Sequence, residues 1–317
     1  MTYAIVFPGQ GSQSIGMLME LTEAHAHIKD TFQEASDTLG YDLWLQVLNG
    51  SEDELNKTHI TQPAMLAGGV AVWRIWQSLV ETQPAAMAGH SLGEYSALVA
   101  AGSLSLSDAV SLVADRGRFM QDAVPTGEGA MAAILGLDDD KVSEVCAAAT
   151  KKKAGEVVTA VNYNSPGQVV IAGNTAAVNC AVELAKAAGA KRALLLPVSV
   201  PSHCSLMMPA AERLAERLAD IAIQPPVIPV FNNVDVQAEN TAEAIRDALK
   251  RQLFSPVRWV DTVNAFAAQG VQQVVECGPG KVLAGLNKRI NREMTGLTTS
   301  DIAGLNKAVQ AIEGREG

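Results

Sequence analysis

The sequence predicts an α/β fold in which a parallel-sheet domain is interrupted by a smaller subdomain. Short apolar runs that end at Gly or Pro alternate with longer segments of helical period, and this alternation is typical of a parallel sheet. From Gly127 onward the predicted order changes to β-α-β-β-α-β. We therefore expect one larger subdomain, residues 1–125 and 198–317, with an inserted unit at residues 126–197.

The elements before the insertion follow from apolar period and from turn residues. Pro8-Gly9 ends the first apolar run, and small apolar residues after Ser91 are typical of a buried helix. In order, the predicted elements are strand 3–7, helix 17–39, helix 62–79, strand 85–89, helix 92–101 and a helix from 107 to about 124.

The inserted unit contains a turn at 164–167 between two β-like runs. Its predicted elements are strand 131–137, helix 139–150, strand 157–163, strand 168–173, helix 175–188 and strand 191–198. This order is that of a ferredoxin-like unit. The predicted elements after it are helix 205–220, strand 227–232, helix 241–253, strand 271–277 and a terminal helical region.

Composition excludes several classes of function. The net charge is −10 and aromatic residues make up 4% of the chain, which leaves little for phosphate contacts or base stacking, so we expect no nucleic-acid partner. Apolar stretches are interrupted before the roughly 18 residues that a membrane span needs. With no signal-peptide pattern, we expect a cytoplasmic protein without membrane contact. The four cysteines form no C-x-x-C pair and are expected as reduced thiols.

Ser91 lies in the pattern Gly-x-Ser-x-Gly, between a predicted strand and a predicted helix. In that setting a sharp turn lifts the serine hydroxyl clear of the backbone and aims helix N–H groups at developing negative charge. Without its flanks the pattern would also fit an ordinary Gly-Ser turn. With both flanks present, the sequence predicts that Ser91 is a nucleophile.

A serine nucleophile needs a base, and the chain has five histidines. His25 and His27 belong to an early amphipathic helix, His59 to a polar loop, and His90 should point away from its neighbour across the turn. His203 remains, and it follows a predicted strand, where α/β folds place site residues. A hydrogen-bonded structural histidine is the alternative reading of His203.

Arg116 flanks the apolar stripe of the helix that follows the Ser91 helix, whereas Arg118 faces away. A guanidinium at a buried edge needs an anionic partner, and a substrate carboxylate fits its two-pronged set of donors. An internal salt bridge, for instance to Asp115 or Asp122, is the alternative.

The loop 8–13 follows the first strand, and its glycines let backbone N–H groups face an anion. It lacks G-x-G-x-x-G and the Lys-Ser/Thr ending of a P-loop, so we expect an oxyanion hole opposite Ser91 and not a nucleotide site. His and Cys do not cluster at ligand spacing. The sequence therefore predicts no metal and no organic cofactor.

Several motifs in one order resemble those of the malonyl-CoA:acyl carrier protein transacylases of bacterial type II fatty acid synthesis. The resemblance spans almost the whole chain. The segments on which the resemblance rests are residues 7–13 (FPGQGSQ), 61–64 (TQPA), 89–95 (GHSLGEY), 162–168 (NYNSPGQ), 201–203 (PSH) and 276–280 (ECGPG).

The resemblance implies ping-pong transfer of a malonyl group from malonyl-CoA to the phosphopantetheine thiol of acyl carrier protein, through an ester on Ser91. His203 would be general base and acid, and Arg116 would bind the malonyl carboxylate. The backbone N–H groups of Gln10 and Leu92 would bind the oxyanion, and Gln62 and Asn162 would line the pocket. The main chain of Gln252 would orient His203. The implied fold is a hydrolase-like domain with a ferredoxin-like insertion, and a monomer suits the family.

Carrier proteins of this pathway are strongly acidic, so an enzyme of net charge −10 should meet them through a local basic patch. The candidates for that patch are Lys191, Arg192, Lys281, Lys288 and Arg289. Three rival functions stay open. One is a serine thioesterase or esterase, which passes the acyl group to water. Another is a transferase for another extender unit such as methylmalonyl, since Ser202 before the histidine is small. The third is an inactive module that binds acyl-CoA or serves in docking.

Overall fold

Two β-sheets organise the chain in the computed structural model, which describes residues 2–198 and 200–314. The first is wholly parallel, with strand order β7-β2-β1-β8-β9, and the second is wholly antiparallel, with order β4-β5-β3-β6. The strands are β1 Tyr3–Phe7, β2 Ala86–Gly89, β3 Gly129–Leu135, β4 Val158–Ser165, β5 Gln168–Asn174, β6 Arg192–Leu195, β7 Val230–Phe231, β8 Gln273–Glu276 and β9 Thr295–Thr298.

The helices pack against the two sheets and against one another. They are α1 Met19–Ala24, α2 His27–Leu39, α3 Leu43–Asn49, α4 Glu52–Leu55, α5 Thr58–Leu79, α6 Gly93–Ala100, α7 Leu106–Ala123, α8 Asp139–Lys152, α9 Thr175–Ala187, α10 Met208–Ala219, α11 Ala242–Gln252, α12 Trp259–Ala268, α13 Val282–Ile290 and α14 Ile302–Glu313. A short 3-10 turn, Ser205–Met207, precedes α10. Over the described ranges, no helix is both long and apolar enough to cross a bilayer.

The parallel sheet is covered on both faces, as its apolar sequence requires. Successive side chains of β1 alternate between two cores. Tyr3, Ile5 and Phe7 join the core that contains α5 and α7, whereas Ala4 and Val6 join the core that contains α12 and α13. Because the strands are parallel, their carboxyl ends meet at one edge, and the segments that follow β1, β2 and β7 emerge there together.

The antiparallel sheet is built by the predicted β-α-β-β-α-β order. Its elements follow the chain as β3, α8, β4, β5, α9 and β6, and a separate apolar core joins α8 and α9 to the sheet. The two sheets confirm the predicted α/β fold class with its ferredoxin-like unit. The predicted limits of that unit, 126 and 197, stay a prediction.

Several predicted elements are wrong. The helix expected at 17–39 is two helices, because the backbone at His25 is extended (φ −136°, ψ 114°), while the apolar period runs on from Leu21 to Ile28 and hides the break. The helix α5 begins at Thr58, so His59 lies in its first turn and not in a loop. Neither α12 nor β9 is predicted, because α12 begins without a capping side chain and β9 is half-exposed and contains a glycine.

Glu276 at the end of β8 gives a test of the packing. Its fully buried carboxyl accepts hydrogen bonds from the backbone N–H groups of Leu283 (3.1 Å) and Ala284 (2.8 Å), and burial raises its pKa to about 7 even though these donors lower it. Between the unfolded value of about 4.5 and about 7, the folded protein holds a proton that the unfolded chain releases, so stability falls as pH rises.

We therefore expect the free energy of unfolding of the wild type to fall, relative to that of Glu276→Gln, by up to about 3 kcal/mol between pH 4.5 and 7. Glutamine does not titrate, so the comparison isolates this one carboxyl. Urea unfolding of both proteins at pH 5 and pH 8 measures the change. A difference between the two proteins that stays constant with pH would contradict the raised pKa.

Candidate active site

Ser91 stands on a tight turn between β2 and α6. Its φ of 51° lies in the left-handed region, and two glycines make the turn possible. A Cβ on Gly89 would lie 1.8 Å from the carbonyl carbon of Gly93, and a Cβ on Gly93 would lie 2.1 Å from the carbonyl oxygen of Phe7. The two glycines of the pattern are therefore required by close backbone packing, which fixes the position of the serine.

His203 meets Ser91 across 112 positions of sequence, with 2.8 Å between Nε2 and Oγ. Its Nδ1 lies 2.7 Å from the main-chain oxygen of Gln252. A carbonyl oxygen only accepts, so Nδ1 carries the proton and Nε2 is free to accept from the serine hydroxyl. Burial, and then the charge of Arg116, lower the pKa of His203 to about 3, so the imidazole is neutral at physiological pH.

The other histidines lie elsewhere. His90 donates from Nε2 to Oδ1 of Asn164 at 2.8 Å, so its ring is turned away from Ser91 as predicted. Among the hydrogen bonds of the described residues, His203 supplies the single imidazole contact to the Ser91 hydroxyl. The prediction that His203 is the base stays a prediction, now with a geometry that permits it.

Arg116 is fully buried and joins the same group. It donates through Nη1 to Oε1 of Gln62 (2.8 Å) and through Nη2 to Oε1 of Gln252 (3.0 Å) and Oγ of Ser91 (3.2 Å). Its guanidinium also lies 5.5 Å from the centre of the Tyr95 ring. A buried cation that contacts the nucleophile lies where it can receive an acidic substrate.

The alternative of an internal salt bridge to Asp115 or Asp122 is wrong. Asp115 pairs with Arg118 and Arg217, and Asp122 pairs with Arg213. Within residues 2–198 and 200–314, Arg116 has no ion pair.

The two predicted oxyanion donors belong to two segments that pack together at the Ser91 turn. Leu92 is the residue before α6, where backbone N–H groups lack helical partners, and Gln10 lies in the loop after β1. That loop packs on the turn, since a Cβ on Gly9 would lie 2.4 Å from the carbonyl oxygen of His90. Among the described residues, neither backbone N–H has an acceptor, which leaves both available to a ligand oxygen.

The predicted pocket and orienting residues, Gln62, Asn162 and Gln252, differ in their contacts with the other site residues. Gln62 touches Arg116 and, weakly, the side chain of Gln10 (Nε2 to Oε1, 3.5 Å). Asn162 lies at a register shift of β4, and its buried Oδ1 has no hydrogen-bond partner. Gln252 contributes both its main chain, to His203, and its side chain, to Arg116.

Two further residues of the site are not predicted from the sequence. Asn233 accepts from the Ser91 backbone N–H (2.7 Å) and donates to the Gly89 carbonyl (2.7 Å), which fastens the serine turn to the segment after β7. Glu94, within the serine motif, accepts from the side chain of Gln252 (2.8 Å). Position at the carboxyl end of a parallel strand is the one signal that points to Asn233.

All five predicted docking residues are exposed. Leu135 of β3 pairs with both Gln168 and Arg192, and Arg289 donates to Gln168 at 2.6 Å. Arg289 and Arg192 therefore lie at one end of the antiparallel sheet. Lys191 and Lys288 adjoin them in sequence. Lys281 lies apart, because it precedes the opposite end of α13. This end of the sheet is near the Ser91 turn, because Asn164 in the adjoining β4 contacts His90.

No group of His, Cys, Asp and Glu able to hold a metal ion occurs in the parts of the chain that the structure describes.

Known proteins resemble this chain in sequence and in fold. The profile of the family described as Acyl transferase domain matches residues 4–314. The malonyl CoA-acyl carrier protein transacylase of Salmonella typhimurium is 56% identical over 307 residues, which are 97% of this chain and 98% of that protein. That of Bacillus subtilis is 46% identical over 310 residues, which are 98% and 97% of the two chains.

Solved structures agree. The malonyl CoA-acyl carrier protein transacylase of Coxiella burnetii superposes with a TM-score of 0.96 at 48% identity, covering 98% of each chain. A malonyl-transacylase in complex with a type II polyketide synthase acyl-carrier protein superposes with a TM-score of 0.96 at 54% identity, covering 99% of this chain and 100% of that one. The chain therefore belongs to the acyl transferase family, as one of its malonyl CoA-acyl carrier protein transacylases.

Proposed function

We propose that this enzyme moves a malonyl group from malonyl-CoA to the phosphopantetheine thiol of acyl carrier protein, through a malonyl ester on Ser91. The observation that carries the proposal is the meeting of three groups at one atom. Ser91 Oγ lies 2.8 Å from Nε2 of His203 and 3.2 Å from Nη2 of Arg116. A nucleophile, a neutral base and a receptor for a carboxylate are thereby combined.

In the first half-reaction the Ser91 oxygen attacks the thioester carbonyl while its proton passes to Nε2 of His203. The tetrahedral intermediate collapses by breaking the carbon–sulfur bond, and His203 returns the proton to the sulfur of departing coenzyme A. In the second half-reaction His203 takes the proton of the carrier thiol and the sulfur attacks the ester carbonyl. The bond between the acyl carbon and Ser91 Oγ then breaks, and His203 returns the proton to that oxygen. The main-chain oxygen of Gln252 holds the imidazole in the tautomer that this cycle needs.

The remaining groups stabilise charge. The backbone N–H groups of Gln10 and Leu92 would bind the oxyanion of each intermediate. Arg116 would bind the malonyl carboxylate through its two-pronged set of donors, and Gln62 holds one arm of that guanidinium. Asn162 would line the pocket. Every bond that forms or breaks in this scheme involves Ser91, His203, or the thiols of coenzyme A and the carrier protein. The scheme therefore needs no cofactor.

A serine thioesterase would use the same Ser-His pair, but a neutral acyl group would leave the buried Arg116 without an anionic partner. Malonyl and methylmalonyl groups both carry a carboxylate that fits this cation, and we favour malonyl because the relatives at 46% and 56% identity are named malonyl CoA-acyl carrier protein transacylases. Fatty acid synthesis in the cytoplasm, by a monomer, is the setting that we infer for the reaction.

The test of this proposal is covalent labelling. We expect the wild type to retain acid-stable label after brief incubation with radiolabelled malonyl-CoA, and peptide mapping to place the label on Ser91. Ser91→Ala should take no label. Ser96→Ala, which alters a second buried serine of α6, is the matched control and should be labelled as the wild type is. Label that persists on Ser91→Ala would place the nucleophile elsewhere.

The basic surface formed by Lys191, Arg192, Lys288 and Arg289 gives a separate prediction about the carrier protein. Reversing Lys288 and Arg289 to glutamate should raise the carrier-protein KM by about tenfold at low salt, because rim charges govern encounter with an acidic partner. The rate of Ser91 acylation by malonyl-CoA should not change. Reversal of Lys151 and Lys152, at the last turn of α8, is the control. An unchanged carrier KM would remove Lys288 and Arg289 from the docking surface.

A further inference from the structure

Glu94 is a buried carboxyl directly behind the proposed active site. It lies in the first turn of α6, three positions after Ser91, and 2% of its surface is exposed. Its Oε2 accepts from the backbone N–H of Asn233 (2.9 Å) and from Nε2 of Gln252 (2.8 Å). The scheme of acyl transfer given above does not use this group.

Each of these two partners holds a reacting group. Gln252 accepts from Arg116 through its side chain (3.0 Å) and from His203 through its main chain (2.7 Å), and it donates to the Ser91 carbonyl (3.1 Å). Asn233 accepts from the Ser91 backbone N–H (2.7 Å). One carboxyl therefore fixes the residues that hold the nucleophile, the base and the cation.

Charge adds to this geometry. Arg116 is buried without an ion pair among the described residues, and Glu94 reaches it through the single amide of Gln252. Burial raises the pKa of Glu94 to about 7, although hydrogen bonds from Gln252 and Asn233 and the charge of Arg116 lower it, so the carboxyl is mostly ionised at pH 8. Once ionised, this carboxylate lies one amide away from the guanidinium and offsets its charge.

We propose that Glu94 is a positioning residue for the acyl transfer, a buried carboxylate that sets Arg116 and His203 through Gln252. The inference rests on the proposed malonyl transfer. The charge has two opposite effects. It favours the imidazolium that forms as Ser91 loses its proton, and so speeds acylation, but it repels the malonyl carboxylate that arrives at Arg116, and so weakens binding.

Glu94→Gln separates charge from hydrogen bonding, because the amide oxygen of glutamine can accept from both Asn233 and Gln252. At pH 8 we expect single-turnover acylation by malonyl-CoA to slow about tenfold, while malonyl-CoA binds about tenfold more tightly. Rapid quench gives the rate, and titration calorimetry in a Ser91→Ala background gives the affinity. Acetyl-CoA has no free carboxylate, so its acylation should slow equally while its affinity stays unchanged.

Glu276→Gln is the matched control, since it neutralises a second buried carboxyl that has no hydrogen bond to Ser91, His203 or Arg116. It should match the wild type in both rate and affinity. Slower acylation with weaker malonyl-CoA binding in Glu94→Gln, or the same shifts in Glu276→Gln, would indicate general damage and overturn the inference. So would a Glu94→Gln protein equal to the wild type. A wild type without label at Ser91 would overturn the proposed function, and the inference with it.

Discussion

Replacing His203 by asparagine should slow the acylation of Ser91 by about 10² to 10⁴ fold, the range for loss of one acid-base group. Asparagine suits the test for two reasons. The backbone of His203 has a φ of 66°, and asparagine is among the residues that tolerate this left-handed region. Its side-chain amide can also donate to the Gln252 carbonyl, as Nδ1 of the imidazole does, while offering no base to the serine.

Rapid-quench measurement of a single turnover with radiolabelled malonyl-CoA reports this rate directly. His59→Asn is the control, because His59 lies in the first turn of α5 without a hydrogen bond to Ser91. A His203→Asn enzyme that acylates as fast as the wild type would show that another group takes the proton.

Replacing Arg116 by alanine should abolish most malonyl transfer and spare uncharged substrates. Removing one partner of a buried charge pair costs about 2 to 5 kcal/mol, which corresponds to a loss of kcat/KM for malonyl-CoA of about 30-fold to several thousand-fold. Acetyl-CoA has no carboxylate to bind, so its acylation of Ser91 should fall far less. The ratio of the two kcat/KM values is the quantity to measure.

Two further variants make that ratio interpretable. Arg118→Ala removes an exposed arginine from the same helix and should leave the ratio unchanged. Arg116→Lys keeps the charge but not the two-pronged donor set, so it should lie between alanine and the wild type. Equal losses with malonyl-CoA and acetyl-CoA in Arg116→Ala would contradict a role in binding the carboxylate.

Local sequence signals were sufficient for the fold class and for the serine turn. The glycines on either side of Ser91 mark a turn that only glycine permits, and the hairpin at 164–167 marks the antiparallel unit. Apolar period located most helices, but it runs through the break at His25 and says nothing of α12, which begins without a capping residue.

Long-range contacts were beyond the sequence pattern. Asn233 contacts Ser91 across 142 positions and Gln252 contacts Glu94 across 158, and no periodicity encodes such pairs. For Arg116, the helical stripe placed the side chain at a buried edge but left open a salt bridge to Asp115 or Asp122. Packing of α7 against α5 decides this, because it turns Arg116 toward Gln62 and leaves those aspartates to other arginines.

The malonyl ester on Ser91 and its transfer to a thiol are best tested by a chase. Labelled enzyme, freed of malonyl-CoA, is mixed with acyl carrier protein that bears phosphopantetheine, with carrier that lacks it, or with buffer alone. The proposed transfer predicts that label leaves Ser91 rapidly and appears on the carrier only when the phosphopantetheine thiol is present. Release of label as free malonate, at one rate in all three mixtures, would show that the enzyme is a hydrolase and contradict the transfer.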